Sequence, residues 1–423
     1  MSEVARLSET PAGIRVVTET VPDMRSVALG FWVRTGSRDE SESEAGVSHF
    51  LEHLLFKGTP ELSAVEISEL LDGIGAQFNA FTSKEATHLY ARFLDRHLER
   101  AFEVLGEMVL TPTLAEIDSE RQVVIEEIAM YGDDPDSIAH DLIAEAVFGD
   151  TPLGRPIIGT AEVIGSISKE HIREYHDSRY RGPAIVISAA GNVDHDKLVA
   201  LAEGLSPGTG EPTGAPGVEP ADRGTARAFE KETEQYHLVI GTPGIDRADD
   251  RRFCLAILDS VLGGSASSRL FTRIREERGL AYSVGTYSEQ YSDTGLFAIH
   301  AGTRGENLGE VCEIVAEEMG LITTVAPGAE EVERAKELVK GRLVLAEESN
   351  AARMSRIGRA VLHDLPILSL DEMLDRIDAV GQEDVLSLAE EILGRVPPSS
   401  ACVGPDTGLM DEATAVLEGV AAA

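Results

Sequence analysis

Two histidines and a glutamate stand together in the segment His49-Phe50-Leu51-Glu52-His53. On a helix, His49 and His53 are one turn apart and share a face, with Glu52 projecting beside them. Two imidazoles at that spacing suit a tetrahedral zinc ion at Zn–N distances of about 2.0–2.1 Å. Glu52 would then lie near enough to a water on that ion to act as its general base. The chemistry indicated is metal-assisted hydrolysis. Leu51, Leu54 and Leu55 point the other way and would bury the opposite side of the helix.

Two imidazoles do not complete a zinc site, and the stretch Leu114–Met130 offers carboxylates for a third ligand. At about 100° per residue, Ile117, Val124, Ile128 and Tyr131 line up as a buried stripe. Glu126 projects to the opposite side and faces solvent. Glu120 and Glu127 flank the stripe, where a carboxylate needs a partner. Glu127 is assigned as the third ligand and Glu120 as the carboxylate that orients a ligand histidine. His88, His97, His140 and His300 have no partner at ligand spacing and read as ordinary histidines.

The elements that must carry these residues follow from apolar periodicity and from glycine and proline punctuation. Gly46 opens the histidine helix and Gly58-Thr59-Pro60 closes it. Strands are predicted at 13–21, 27–34, 76–81, 87–94 and 184–190, with helices at 64–74, 96–109 and 114–130 and a last helix from Asp194. The same order returns later, with strands at 228–232, 236–242, 281–287, 295–301 and 400–403 and helices at 252–262, 268–277, 307–324 and 330–348. Between the two runs, residues 206–225 are rich in proline and glycine, the composition of a linker. The division expected is 1–205, a linker at 206–225, and 226–423. The fold class is α+β, in two homologous halves, each a mainly antiparallel sheet with helices packed on one face.

Composition narrows the function classes. At 423 residues, 43% hydrophobic and 26% charged, the chain suits two folded domains of about 200 residues each. The formal charge of −37 disfavours nucleic acid and anionic membrane as partners. It serves solubility, or else an acidic cavity that attracts basic peptides. No apolar run reaches the roughly 18 residues of a membrane span, and no secretory or transit signal opens the sequence, so a cytoplasmic location is expected. The three cysteines, Cys254, Cys312 and Cys402, form no ligand or disulfide pattern and read as reduced thiols.

The segment Gly46–Thr59, with Glu120–Glu127, resembles the inverzincin peptidases, the group of pitrilysin, the insulin-degrading enzyme and the mitochondrial processing peptidase. The resemblance covers essentially the whole chain and is strongest to the bacterial short-chain branch. It implies a zinc endopeptidase with one zinc per chain, held by His49, His53 and Glu127, and with Glu52 as general base. It implies that Gly75–Thr82 is the active-site edge strand on which substrate docks as an added strand, through Asn79, Ala80, Phe81 and Thr82. Two residues of the second half, Arg275 and Tyr282, match an arginine and a tyrosine that reach the substrate. Tyr282 would donate to the oxyanion and Arg275 would hold a substrate carbonyl.

The resemblance also implies halves that face each other like a clamshell, an enclosed chamber for unstructured peptides, and a homodimer. A preference for basic, presequence-like peptides is one extension of it. The second half keeps no metal site. Its counterpart helix, Phe253-Cys254-Leu255-Ala256-Ile257-Leu258, has no histidine, and Lys340 stands opposite Glu127. The competing reading is a catalytically silent structural subunit of the same fold. Such relatives lose part of the zinc motif, which this chain retains.

Overall fold

Alternating side chains divide the strand Ser26–Val33 between two cores. Val27, Leu29, Phe31 and Val33 enter one, while Ala28 and Trp32 enter another on the opposite face, the period of two that a pleated strand imposes. A computed structural model describes residues 5–210, 217–220 and 224–422, so part of the 206–225 linker lies outside the described residues.

The first sheet has six strands: β1 (Arg6–Glu9), β2 (Arg15–Thr20), β3 (Ser26–Val33), β4 (Gln77–Thr82), β5 (Thr87–Leu94) and β6 (Ile185–Gly191). Their order is β1-β2-β6-β3-β5-β4. β2 and β6 run parallel and every other pair runs antiparallel. The second sheet holds β7 (Ala226–Glu230), β8 (Tyr236–Gly244), β9 (Ala281–Gln290), β10 (Gly295–Thr303) and β11 (Ser399–Gly404), ordered β7-β11-β8-β10-β9. Here β7 and β11 are the parallel pair. Without β1 the two orders superpose strand for strand, so the sequence repeat is a repeat of topology. β1 is the one strand without a sequence signal, being four residues long, at the edge and mostly exposed.

Five helices follow one another in the first half of the chain: α1 (Val47–Leu55), α2 (Ala64–Gly73), α3 (Leu98–Leu110), α4 (Ile117–Asp133) and α5 (Pro135–Phe148). The first four send Phe50, Leu51, Ile67, Phe102, Leu105 and Val124 into the core on the Leu29 and Phe31 face.

The compact units do not follow the expected division at the linker. The first takes residues through Ala129, from Pro156 to the linker, and Val344–Ser369. The second takes Met130–Arg155, Gly217–Leu343 and Leu370 onward. Each sheet therefore has its second face covered by a helix from the opposite half of the sequence. In the first unit, Met354, Ile357, Val361 and Leu362 of the helix Asn350–Leu362 pack on Trp32, Ala28 and Val186. In the second, Ile143, Ala146 and Val147 of α5 pack on Val239, Leu296 and Ala401.

The approach of the helix Asn350–Leu362 is close because Gly358 lacks a side chain. A Cβ there would stand 2.4 Å from Trp32 Nε1. Charges secure the same helix. The carboxylates of Glu19, on β2, and Glu347 are 5% exposed, and Arg356 reaches both, at 2.5 Å and 2.8 Å, while Arg353 pairs with Glu19 as well. No helix among the described residues is long and apolar enough to cross a membrane.

Candidate metal centre

The helix α1 is fixed at its start by two features. Gly46 has φ +95°, and a Cβ on it would meet the Ile158 carbonyl oxygen at 2.5 Å, so glycine is required there. With no side chain of its own to cap the helix, Gly46 leaves that work to Glu40. The Glu40 carboxylate accepts the N–H groups of Gly46 and Ser48, each at 2.7 Å. Burial pushes the Glu40 carboxyl up to about 7. Phe50, Leu51, Leu54 and Leu55 are fully buried, and this orientation leaves His49, Glu52 and His53 on the other side.

The third donor comes from α4. Glu127 Oε2 lies 3.3 Å from His53 Nε2 and 3.8 Å from His49 Nε2. The ligand atoms of His49, His53 and Glu127 all fall within 4.8 Å of one another, the one such group among the described residues. The imidazoles meet edge to face, with centroids 4.7 Å apart. His49 Nδ1 is buried and has no hydrogen-bond partner. Burial, with the His53 charge nearby, lowers the His49 pKa to about 4, so this imidazole is neutral and keeps a lone pair to give. Two imidazole nitrogens and a carboxylate oxygen are a donor set that zinc accepts with a position left open. The residues present fit the ion.

The remaining residues of the cluster hold the first ones in place. Glu120 is buried, with Oε1 2.9 Å from His53 Nδ1, and Lys57 Nζ lies 2.6 Å from its other oxygen. The Thr82 hydroxyl, at the end of β4, donates to Glu52 Oε2 at 2.6 Å. Burial raises the Glu52 pKa, against the hydrogen bonds from Thr82 and the charge of His53. Glu126 is exposed. Tyr131, expected in the buried stripe of α4, is 48% exposed. The core that receives that stripe takes Val124 and Ile128 and goes no further along the helix.

β4 is an edge strand, paired with β5 alone. Asn79 is exposed and its Oδ1 accepts the Ala80 N–H at 2.9 Å. Ala80 is buried and Phe81 is 40% exposed. Arg275 and Tyr282 belong to the second unit, where they meet each other. The Arg275 guanidinium lies 4.5 Å from the centroid of the Tyr282 ring and 4.8 Å from that of Phe271, and it donates to the Tyr282 carbonyl oxygen at 2.9 Å. Tyr282 is 77% exposed. Arg275 lies in a π-helical turn, Phe271–Glu276, where an ordinary helix was expected. Lys340 is held by Asp378 at 2.8 Å and Glu337 at 2.6 Å.

Sequence reasoning missed Glu40, Lys57 and the hold of Thr82 on Glu52. Lys57 did carry a signal, standing one further helical turn from His53. Glu40 carried none.

A family model described as Insulinase (Peptidase family M16) matches residues 15–161, and a model described as Peptidase M16 inactive domain matches residues 166–339. An uncharacterized zinc protease of Streptomyces coelicolor is 41% identical over 411 residues, covering 95% of this chain and 89% of that protein. An uncharacterized zinc protease of Bacillus subtilis is 42% identical over 384 residues, covering 90% of this chain and 93% of that protein. A solved protease from Helicobacter pylori matches with a TM-score of 0.88 at 20% identity, over 96% of this chain and 100% of that one. A solved structure described as a peptidase M16 inactive domain, from Pseudomonas fluorescens, gives 0.87 at 21% identity, over 95% and 98%. These two likenesses speak for the fold.

Proposed function

Because the chain belongs to the insulinase family of peptidases, M16, we propose that it is a zinc-dependent endopeptidase that hydrolyses unstructured peptides. The observation that carries this reading is the convergence of His49, His53 and Glu127 to within 4.8 Å, with Glu52 on the same helix. His49 and His53 would hold one zinc ion per chain through their Nε2 atoms, and Glu127 through Oε2. Bound there, zinc supplies Lewis acidity, which acidifies water and polarises a peptide carbonyl. The relatives from Streptomyces coelicolor and Bacillus subtilis are both named zinc proteases.

Glu52 takes the proton of the attacking water and returns it to the leaving amine. Burial raises its proton affinity toward what that exchange needs, and Thr82 fixes its orientation. Glu120 accepts the Nδ1–H of His53, which leaves the lone pair on Nε2, the atom that faces Glu127. The outer edge of β4 offers backbone groups to an extended peptide. Tyr282 would donate its hydroxyl to the oxyanion and Arg275 would hold a substrate carbonyl. An enclosed chamber, a homodimer and a cytoplasmic location belong to the same proposal and rest on the family resemblance and composition. A preference for basic peptides rests on the net charge of −37. Matched acidic and basic peptides cleaved equally at all ionic strengths would sink that preference.

The test is Glu52→Gln, with zinc content and peptide hydrolysis followed on the same samples. Zinc should stay near one per chain while hydrolysis falls about 10²–10⁴-fold. Wild-type hydrolysis that survives a chelator, or full activity in the variant, would overturn the reading. A catalytically silent subunit would hydrolyse no peptide in either form. The retained His49, Glu52, His53 and Glu127 cluster speaks against that alternative.

A further inference from the structure

We propose that Lys57 is a positioning residue for the metal centre, acting through Glu120 on His53. The inference rests on the zinc peptidase reading above and adds to it a residue outside the His49–His53 segment. His49, His53 and Lys57 follow one another at four-residue steps. α1 ends at Leu55, but Phe56 keeps right-handed helical angles, φ −87° and ψ −3°. The chain therefore carries Lys57 onward along the side that bears the histidines.

Glu120 is 6% exposed, and its two oxygens divide between two partners. Oε1 lies 2.9 Å from His53 Nδ1 and Oε2 lies 2.6 Å from Lys57 Nζ. The carboxylate is a bridge with one end on the ligand histidine and the other on a lysine that is itself only 25% exposed. A carboxylate held on one oxygen alone can turn about its last bond, and the imidazole it orients turns with it. Held on both oxygens by a charge-assisted contact and a ring nitrogen, it cannot. The ring plane of His53 then stays fixed, with Nε2 facing Glu127 Oε2 at 3.3 Å. Lys57 also places a positive charge against the Glu120 carboxylate, which offsets part of its repulsion with Glu127, the other carboxylate that meets His53.

The experiment compares wild type, Lys57→Met and Lys57→Arg as full-length protein. Zinc affinity is measured by competition with a chromophoric chelator, alongside the KM and kcat of peptide hydrolysis. Lys57→Met keeps most of the aliphatic bulk and loses the charge. Its zinc dissociation constant should rise about 10-fold, the low end of the range for removing a direct partner of a metal ligand, because Lys57 acts one contact further out. KM on zinc-saturated protein should stay within twofold, because Lys57 is not argued to touch substrate. Lys57→Arg should recover most of the affinity, which a loss of packing alone would not explain. Zinc binding by Lys57→Met within twofold of wild type would overturn the proposal, and so would Lys57→Arg being as weak as Lys57→Met. In both cases tight wild-type binding leaves the peptidase reading standing. A wild type that binds no zinc would end both.

Discussion

Replacing Gly358 by alanine places a methyl group where the structure has no room for one. The new Cβ would stand 2.4 Å from Trp32 Nε1 and 2.7 Å from Ser188 Oγ, against ordinary contacts of about 3.5–4.0 Å. The two atoms it strikes are hydrogen-bonded to each other at 2.8 Å, and both side chains are buried. Opposing terms decide the outcome. Alanine in a helix interior gains about 1 kcal/mol over glycine. Overpacking a filled core costs about 1–3 kcal/mol. Parting the Trp32 indole from Ser188 leaves buried polar groups unpaired, for about 1–3 kcal/mol more. Net destabilisation near 3 kcal/mol is expected, as an order of magnitude. Trp32 is the only tryptophan in the chain, so its emission during a urea titration reports on the first unit alone. The variant should unfold at lower urea and its native emission should shift. A midpoint equal to or above wild type, with unshifted emission, would refute the close packing of this helix on the sheet.

Two further outcomes are open to direct measurement. Thr82→Val removes the hydroxyl that donates to Glu52 at 2.6 Å. It should lower kcat about 10–100-fold, the worth of a hydrogen bond to a charged group, with zinc content unchanged; unaltered kcat would mean that Glu52 is oriented without Thr82. His88 is buried and stacked on Trp32 with centroids 3.4 Å apart, both its ring nitrogens lack a hydrogen-bond partner, and burial, with Arg359 nearby, holds its pKa well below the usual value. The unfolded chain therefore binds a proton that the folded one refuses, so stability is complete above about pH 6.5 and is lost as pH falls toward the depressed folded value. Urea midpoints between pH 8 and pH 5 should fall less steeply for His88→Phe than for wild type, and parallel slopes would remove His88 as the cause.

Much of this arrangement was legible in the sequence because it depends on short-range periodicity. Ten of the eleven strands and the helices that carry His49 and Glu127 follow from alternation and helical spacing. Helical geometry alone also separates Glu120 and Glu127 from the exposed Glu126. The same rule failed at Tyr131, since a periodic stripe does not reveal where the surface receiving it stops. The exchange of helices was not legible for a related reason. Ile143 and Val147 of α5, like Ile357 and Val361, show that one face is buried, but an amphipathic pattern does not name its partner. Glu40 and Thr82 meet the α1 helix through contacts set by the tertiary fold rather than by any local pattern. The π-helical turn that carries Arg275 has no composition that would distinguish it from an ordinary helix.

The exchanged helix also sets a timetable for biosynthesis. All three residues that converge at the candidate metal centre lie within the first 129 residues, yet the first unit is not closed until Val344–Ser369 arrives. At roughly 5–20 residues per second, the ribosome needs about ten to forty seconds to make the intervening stretch. Throughout that interval the Trp32 face of the first sheet has no helix of its own to cover it. A nascent chain of this protein therefore presents an uncovered apolar sheet face, opposite the one that packs the helices of His49, His53 and Glu127. Its maturation is tied to the last part of the message rather than to the completion of its first half.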